Sequence, residues 1–245
     1  MKENLYDNEE FFARYSAFPR SVEGLRAAGE WHELRRLLPP FAGKRVLDLG
    51  CGFGWHCRYA AEQGAARVVG LDLSEKMLAR ARRETTDPRI AYVRGAMEDL
   101  EAPPGSFDVV LSSLALHYVE DLEPVFRRIF AALAPGGDFV FSCEHPVFTA
   151  EGAQEWCRNE AGENLHWPVD HYFSEGARTA HFLGCEVVKY HRTLTTYVET
   201  LLRTGFVLTA LVEPRPDPAL MDVPGMADEL RRPMMLLVSA KKMQA

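Results

Sequence analysis

The residue types and spacing that suit chemistry are concentrated in one stretch, Val46-Leu47-Asp48-Leu49-Gly50-Cys51-Gly52-Phe53-Gly54. The three glycines lack a Cβ, so the backbone can turn tightly and a ligand can come within contact distance. A helix starting near Trp55 would aim its free N–H groups at that ligand. A glycine-rich turn also occurs with no ligand, and two carboxylates favour the binding reading. Asp72 closes the apolar run Arg67-Val68-Val69-Gly70-Leu71-Asp72. It lies about 20 residues beyond Gly50, the separation at which a second strand offers a carboxylate to a ribose diol. Asp48 sits inside the first apolar run, just before the glycines. Its charge suits a cationic group and would repel a dinucleotide pyrophosphate. The stretch therefore proposes a cofactor held at a strand-to-helix turn.

Such residues need a buried parallel sheet to position them. Val46, Leu47 and Leu49 read as a strand covered on both faces. Further strands are expected at Arg67 to Leu71, Ile90 to Val93, Phe107 to Ser112 and Asp138 to Cys143, with helices from Trp55 to Gln63, from Ser74 to about Thr85 and from Val125 to Leu133. This alternation makes the fold class α/β, with ligand residues gathered at the carboxyl ends of the strands. The strand at Phe107 should lie beside the first, in the middle of the sheet.

Composition limits the function classes. The chain has 245 residues, enough for one α/β unit with a large core and one sizeable insertion. Apolar residues make up 47%, so a packed globule is expected. The net charge of −7 argues against a dedicated nucleic-acid binder. No apolar run is long enough to span a bilayer, and the N-terminus has no signal-peptide apolar core. The five cysteines are odd in number and include no CxxC pair, which reads as reduced thiols in a cytoplasmic protein, with no spacing that supports a metal site.

The ordered motifs Asp48 to Gly54, Asp72, Phe107-Asp108-Val109-Val110 and Leu133-Ala134-Pro135-Gly136-Gly137 resemble those of class I S-adenosylmethionine-dependent methyltransferases of the small-molecule, bacterial-like type. The resemblance covers residues 43 to 143 well and the C-terminal strands more loosely. It implies a Rossmann-like doubly wound seven-stranded sheet with its last strand pair antiparallel, N-terminal helices and an insertion after strand five. It implies S-adenosyl-L-methionine as cofactor and S-adenosyl-L-homocysteine as product. Carried onto this chain, it nominates Asp48, Gly50, Cys51, Gly52, Asp72, Leu73, Met77, Ala96, Met97, Glu98 and Ser112 as cofactor residues, with Ala96 to Glu98 beside the adenine. Tyr15 and Arg20, from helices that would close the site, join them, and Arg20 would face the methionine carboxylate.

One domain is expected over 1–245: a helical cap in 1–42, a cofactor-binding core in 43–143, a substrate-side insertion in 144–192, and a C-terminal helix and strands in 193–245. In the cap, helices are expected at Asn8 to Tyr15 and Ser21 to Leu38. The insertion is rich in aromatics and histidines, with a hairpin near Glu186 to Arg192. Beyond it, a helix at Thr193 to Arg203 precedes strands at Phe206 to Val212 and Met234 to Ala240, separated by a proline-rich surface loop.

Methyl transfer by in-line displacement needs alignment and exclusion of water, and a base only when the acceptor must lose a proton. His117, His145 and His191 have the side chain for that base. His145 and His117 rank first, because they lie just beyond central strands. Tyr172, Tyr190, Arg192 and Trp167 are candidates for orienting an acceptor. Ser112-Ser113-Leu114-Ala115 replaces the acid or Asn, Pro-Pro and aromatic of amino methyltransferases acting on adenine, which disfavours that class. A small-molecule acceptor is expected, with neither nucleic acid nor membrane as partner, and a homodimer is compatible with the chain. Two alternatives stay open. A nicotinamide-dependent oxidoreductase would want glycine where Trp55 stands. A catalytically silent S-adenosylmethionine binder would share the cofactor motifs.

Overall fold

The computed structural model describes residues 4–244. Seven strands form one sheet: β1 (Arg45–Leu49), β2 (Arg67–Asp72), β3 (Ile90–Arg94), β4 (Phe107–Ser113), β5 (Leu133–Glu144), and two C-terminal strands numbered β10 (Phe206–Val212) and β11 (Met235–Lys242) after the four short strands between them. The order is β10-β11-β5-β4-β1-β2-β3. The first five run parallel, and β11 pairs antiparallel with both β5 and β10. This is the Rossmann-like sheet that the motif resemblance implies. The order reverses between β1 and β4, so a crevice opens at their carboxyl ends.

Side-chain alternation separates two apolar layers. Leu47, Leu49, Val110, Phe139 and Phe141 face one side and pack with α6 (Leu122–Ala132) and α8 (Leu194–Thr204). Val46, Val68 and Val109 face the other side, against α4 (Trp55–Glu62) and α5 (Glu75–Arg83). Leu111, Val140 and Leu237 continue that face under α3 (Trp31–Leu37). Each fully buried Leu, Val or Phe contributes ~1.5–3 kcal/mol, so the two layers make the sheet the rigid part of the molecule.

The N-terminal cap differs from the expected long helix. A 3-10 turn (Leu5–Asp7) leads into α1 (Glu9–Ala17) and α2 (Pro19–Glu23), and α3 begins only at Trp31. Gly24 ends α2 with φ at +66°, and the Trp55 ring stands where its Cβ would be, 2.6 Å away. The 3.6-residue periodicity of Ser21 to Leu38 is therefore broken by a tertiary contact that only a glycine admits.

The insertion after β5 starts with α7 (Pro146–Thr149) and holds two hairpins outside the main sheet. One pairs β6 (Cys157–Arg158) with β7 (Asn164–His166), and the other pairs β8 (Gly176–Phe182) with β9 (Cys185–His191). Among the described residues, no helix is long and apolar enough to cross a membrane, and no cluster of His, Cys, Asp or Glu has the grouping to hold a metal ion.

Candidate functional site

A cavity of about 540 Å³ opens at the carboxyl ends of β1, β2, β4 and β5. Its floor begins at the glycine turn. Gly50 N and Cys51 N both donate to Leu71 O, at 2.8 and 3.1 Å, which ties the turn to β2. Gly50 has φ at +72°, and a Cβ there would lie 2.5 Å from the Ala115 methyl. Gly52 has φ at +52°, and a Cβ there would meet nothing within 4 Å, so the space above it is free for a ligand.

Asp72 ends β2 in the cavity wall. Its Oδ2 accepts from Gly52 N at 2.8 Å and its Oδ1 from Ser74 N at 2.9 Å. Burial pushes its carboxyl up, and these backbone donors oppose the shift. Each oxygen keeps a lone pair for a further donor. Leu73, Met77, Ala96, Met97 and Glu98 line the same end.

Arg20 also lines the cavity, held by Glu30 Oε1 at 2.6 Å and Ser113 Oγ at 3.0 Å. Beside it a smaller cavity of about 60 Å³ shares Tyr15, Arg20, Gly50, Gly52 and Ser113 with the larger one, and Cys51 lies in its wall. Ser21 Oγ, Trp55 Nε1 and His56 Nε2 belong to residues of that smaller wall and are buried without a hydrogen-bond partner. Buried polar atoms are ordinarily satisfied, so this corner has hydrogen-bonding capacity left over.

Two nominated cofactor residues lie beneath the floor and not in either wall. Asp48 is 1% exposed, and its Oδ2 accepts from Cys57 Sγ at 3.3 Å. Burial pushes its carboxyl up to about 7. Ser112 is fully buried, with its Oγ donating to Leu49 O at 2.9 Å. The neighbouring Ser113 takes the cavity position, because successive residues of a strand face opposite ways. Leu114 follows with φ at +51°, a strained conformation for a side chain of its size, held by Ser142 at the mouth of the crevice.

The far end of the cavity comes from the insertion and from β5. Glu144 Oε1 accepts from Lys189 Nζ at 2.5 Å, and Glu144 Oε2 from Gln154 Nε2 at 2.8 Å. Burial works against the Glu144 carboxylate, but His117, Lys189 and Gln154 outweigh it and hold it below its usual range. His117 lines this end. Its Nδ1 accepts from Glu144 N at 3.4 Å, and burial pulls its pKa down to about 4. Tyr118 Oη lies 3.1 Å from Tyr6 Oη, and both hydroxyls are pushed up by burial.

His145 is placed elsewhere. Its Nδ1 caps α7 by accepting from Val147 N at 3.0 Å, and its Nε2 stands 2.8 Å from Glu213 Oε1. His191 bridges Thr149 Oγ1 at 2.8 Å and Tyr172 O at 2.9 Å. Arg192 donates to the carbonyls of Val119 and Glu120, locking the insertion to the segment after β4. Trp167 stacks on Phe148 and donates to Val147 O at 3.1 Å. Tyr172 Oη accepts from Leu194 N at 3.2 Å. Tyr190 lies beneath the Arg192 guanidinium, 5.8 Å from its centre. His145, His191, Arg192, Trp167, Tyr172 and Tyr190 are not among the described residues that line the cavity. Sequence reasoning missed Tyr6, Glu30, Glu144 and Lys189, and within the segment 112–118 that it put at the floor it named Ser112 where Ser113 lines the cavity. One signal was available: Val187, Lys189 and His191 alternate on one buried face of β9, an odd place for a lysine.

The comparisons agree with this geometry. Residues 47–141 match the family model "Methyltransferase domain". An uncharacterised Haemophilus influenzae protein is 33% identical over 99% of this chain and 98% of its own length. A crystal structure of an S-adenosylmethionine-dependent methyltransferase from Mesorhizobium loti is 50% identical, with a TM-score of 0.83 over 89% of this chain and 100% of that one. A Listeria monocytogenes protein described as another such methyltransferase is 57% identical, with a TM-score of 0.86 over 90% of this chain and 100% of that one. With this sheet, this glycine turn and these relatives, the chain belongs to the class I S-adenosylmethionine-dependent methyltransferases.

Proposed function

We propose that the enzyme methylates a small-molecule acceptor, within one domain whose N-terminal cap and insertion close over the core. The observation that carries this reading is the cavity itself. Cofactor-type residues line one end, and a charged pair from β5 and the insertion lines the other. Tyr6, Tyr15 and Arg20 of the cap wall the same space, so a compact acceptor fits better than a polymer.

When bound, S-adenosyl-L-methionine supplies an electrophilic methyl on a cationic sulfur. The chain's residues fit that group: Asp72 retains lone pairs for a ribose diol, and Ala96, Met97 and Glu98 stand where an adenine edge would be read. Arg20 serves the carboxylate of the methionine end, and the donors Ser21 Oγ and Trp55 Nε1 lie in the wall of the adjoining corner. Gly50 and Gly52 admit the close approach. The cap and the insertion exclude water and align the acceptor for in-line attack.

The test is isothermal titration of the full chain with S-adenosyl-L-methionine, S-adenosyl-L-homocysteine and NADH. Binding of the first two with no NADH response is expected. Asp72→Ala should weaken both by roughly 100-fold, since two hydrogen bonds to a charged group are lost. Unchanged affinity would remove Asp72 from the ribose.

A further inference from the structure

We propose that the far end of the cavity is an oxyanion-reading acceptor subsite, and that the acceptor is a small carboxylic acid with an apolar body, methylated on its carboxylate oxygen. The inference rests on the methyl-transfer reading above and deepens it.

The donor count is the first support. Lys189 Nζ has three N–H bonds, of which one goes to Glu144 Oε1 and one to Gln154 Oε1 at 2.9 Å. The third has no oxygen or nitrogen acceptor among the described residues, the Phe182 ring centre standing 5.5 Å from Nζ, in a side chain that is 3% exposed and lines the cavity. His117 accepts at Nδ1, so in the neutral ring Nε2 carries the hydrogen and is a donor. Tyr6 and Tyr118 share one hydrogen bond, which leaves one hydroxyl hydrogen to give. Both Glu144 oxygens already accept one bond each. The leftover donors of Lys189, His117 and the tyrosine pair call for a further acceptor, and a carboxylate is acceptor-only.

Charge is the second support. The Lys189–Glu144 pair cancels, and Glu229 in the same wall is held by Arg232 at 2.7 and 3.1 Å. Arg215, an exposed residue in the cavity wall, has no ion pair among the described residues. Of the cations in the cavity wall, Arg20 and Lys189 are paired with Glu30 and Glu144, and Arg215 is left to meet an anion. The remaining lining is apolar: Phe182, Val187, Met226, Met234 and Met235.

The absence of a usable base is the third support. A neutral His117 presenting Nε2–H cannot take a proton at that atom, and the bonds from Lys189 and Gln154 hold the Glu144 carboxylate below its usual range, which makes it a poor proton acceptor. An alcohol or a protonated amine would have to lose a proton, whereas a carboxylate is already ionised at neutral pH. The step balances without proton transfer. The S–CH₃ bond breaks and its electron pair returns to sulfur, an O–CH₃ bond forms from a carboxylate lone pair, and a cation and an anion become a neutral thioether and a neutral ester.

The experiment uses the full chain saturated with S-adenosyl-L-homocysteine, titrated in turn with hexanoate, hexylamine and hexanol. Imidazole nitrogen shifts of His117 and calorimetry are read together. Failure to bind S-adenosyl-L-homocysteine would sink the methyl-transfer reading itself, before any acid is added. With that complex formed, hexanoate should bind and move the His117 Nε2 signal, while hexylamine and hexanol should leave it in place. Arg215→Gln, which disturbs no buried contact, should weaken hexanoate at least threefold. The paired variant Lys189→Met/Glu144→Gln should weaken it at least tenfold with S-adenosyl-L-homocysteine affinity retained; should that variant not fold, Arg215→Gln alone decides. Preference for the amine or the alcohol, no response to any of the three, or full hexanoate affinity in Arg215→Gln would overturn the proposal.

Discussion

Asp7 Oδ1 accepts a 2.5 Å hydrogen bond from Ser74 Oγ and a 3.1 Å bond from Lys76 N, so the N-terminal segment is pinned to the start of α5. Ser74 also caps that helix by accepting from Met77 N at 3.1 Å. Leu5 and Tyr6 thereby close one wall of the cavity.

Asp7→Ala should loosen this closure and raise the dissociation constant for S-adenosyl-L-homocysteine by roughly tenfold, since hydrogen bonds to a charged group contribute ~1.5–3 kcal/mol. Burial opposes ionisation of Asp7, but the bonds from Ser74, Lys76 and Asn4 outweigh it and hold the carboxyl below its usual value. A lowered carboxylate stabilises above its unfolded pKa of about 3.9 and loses that contribution as the pH falls through the folded value. The closure should therefore be intact from mildly acidic to neutral pH. Titration of the variant at neutral pH checks the first point, and equal affinity would disconnect the pin from binding.

Arg20 and Glu30 form a buried pair, with the Glu30 side chain 1% exposed. Arg20→Met alone would strand that carboxylate at a cost of about 3–5 kcal/mol. Arg20→Met/Glu30→Gln should regain most of the melting temperature yet still bind S-adenosyl-L-homocysteine roughly tenfold more weakly. Normal affinity in the double variant would show that Arg20 supports only the fold.

Adjacent serines should separate. Ser112→Ala removes the bond to Leu49 O inside the sheet and should cost ~1–3 kcal/mol of stability with little change in affinity. Ser113→Ala removes the partner of Arg20 in the cavity wall and should weaken the cofactor a few-fold with a smaller stability change. Denaturant unfolding and calorimetry on the two variants check the split, and the reverse pattern would refute the assignment of faces.

Asp48 is the strongest source of pH dependence beneath the floor. Burial raises its carboxyl to about 7, with the Cys57 thiol opposing. A raised folded value means the contribution is full below the unfolded pKa of about 3.9 and declines as the pH rises to the folded value, at up to ~1.4 kcal/mol per pH unit. Asp48→Asn should remove that slope. Melting temperatures at pH 5 and pH 8 should converge relative to the parent, and an unchanged difference would place the pH dependence elsewhere.

The parallel core was legible because each strand is a short apolar run, and the acid of β2 falls at the end of its run. The C-terminal helix was legible for a different reason: Thr193 caps it by accepting from Thr196 N at 3.2 Å, and Gly205 ends it in the left-handed region. The face of a residue at a strand end was not. Ser112 and Ser113 are chemically identical, and a one-residue difference in register exchanges their roles.

The histidines show the same limit. His117 and His145 both follow central strands, yet one enters the cavity and the other caps α7 against Glu213. Local chain direction after the strand decides that, through the positive φ of Leu114 in one case and Pro146 in the other.

By itself, the sequence determined the sheet, the glycine turn after β1 and the acid that ends β2, because these depend on short-range periodicity, glycine geometry and the spacing of neighbouring parallel strands. The far end of the cavity was decided only in three dimensions. Glu144 and Lys189 are 45 residues apart and meet at 2.5 Å because the β8–β9 hairpin folds back over the end of β5. Nothing local in either segment encodes that contact; it follows from burying Val187 and Lys189 on one face of a strand against the finished core.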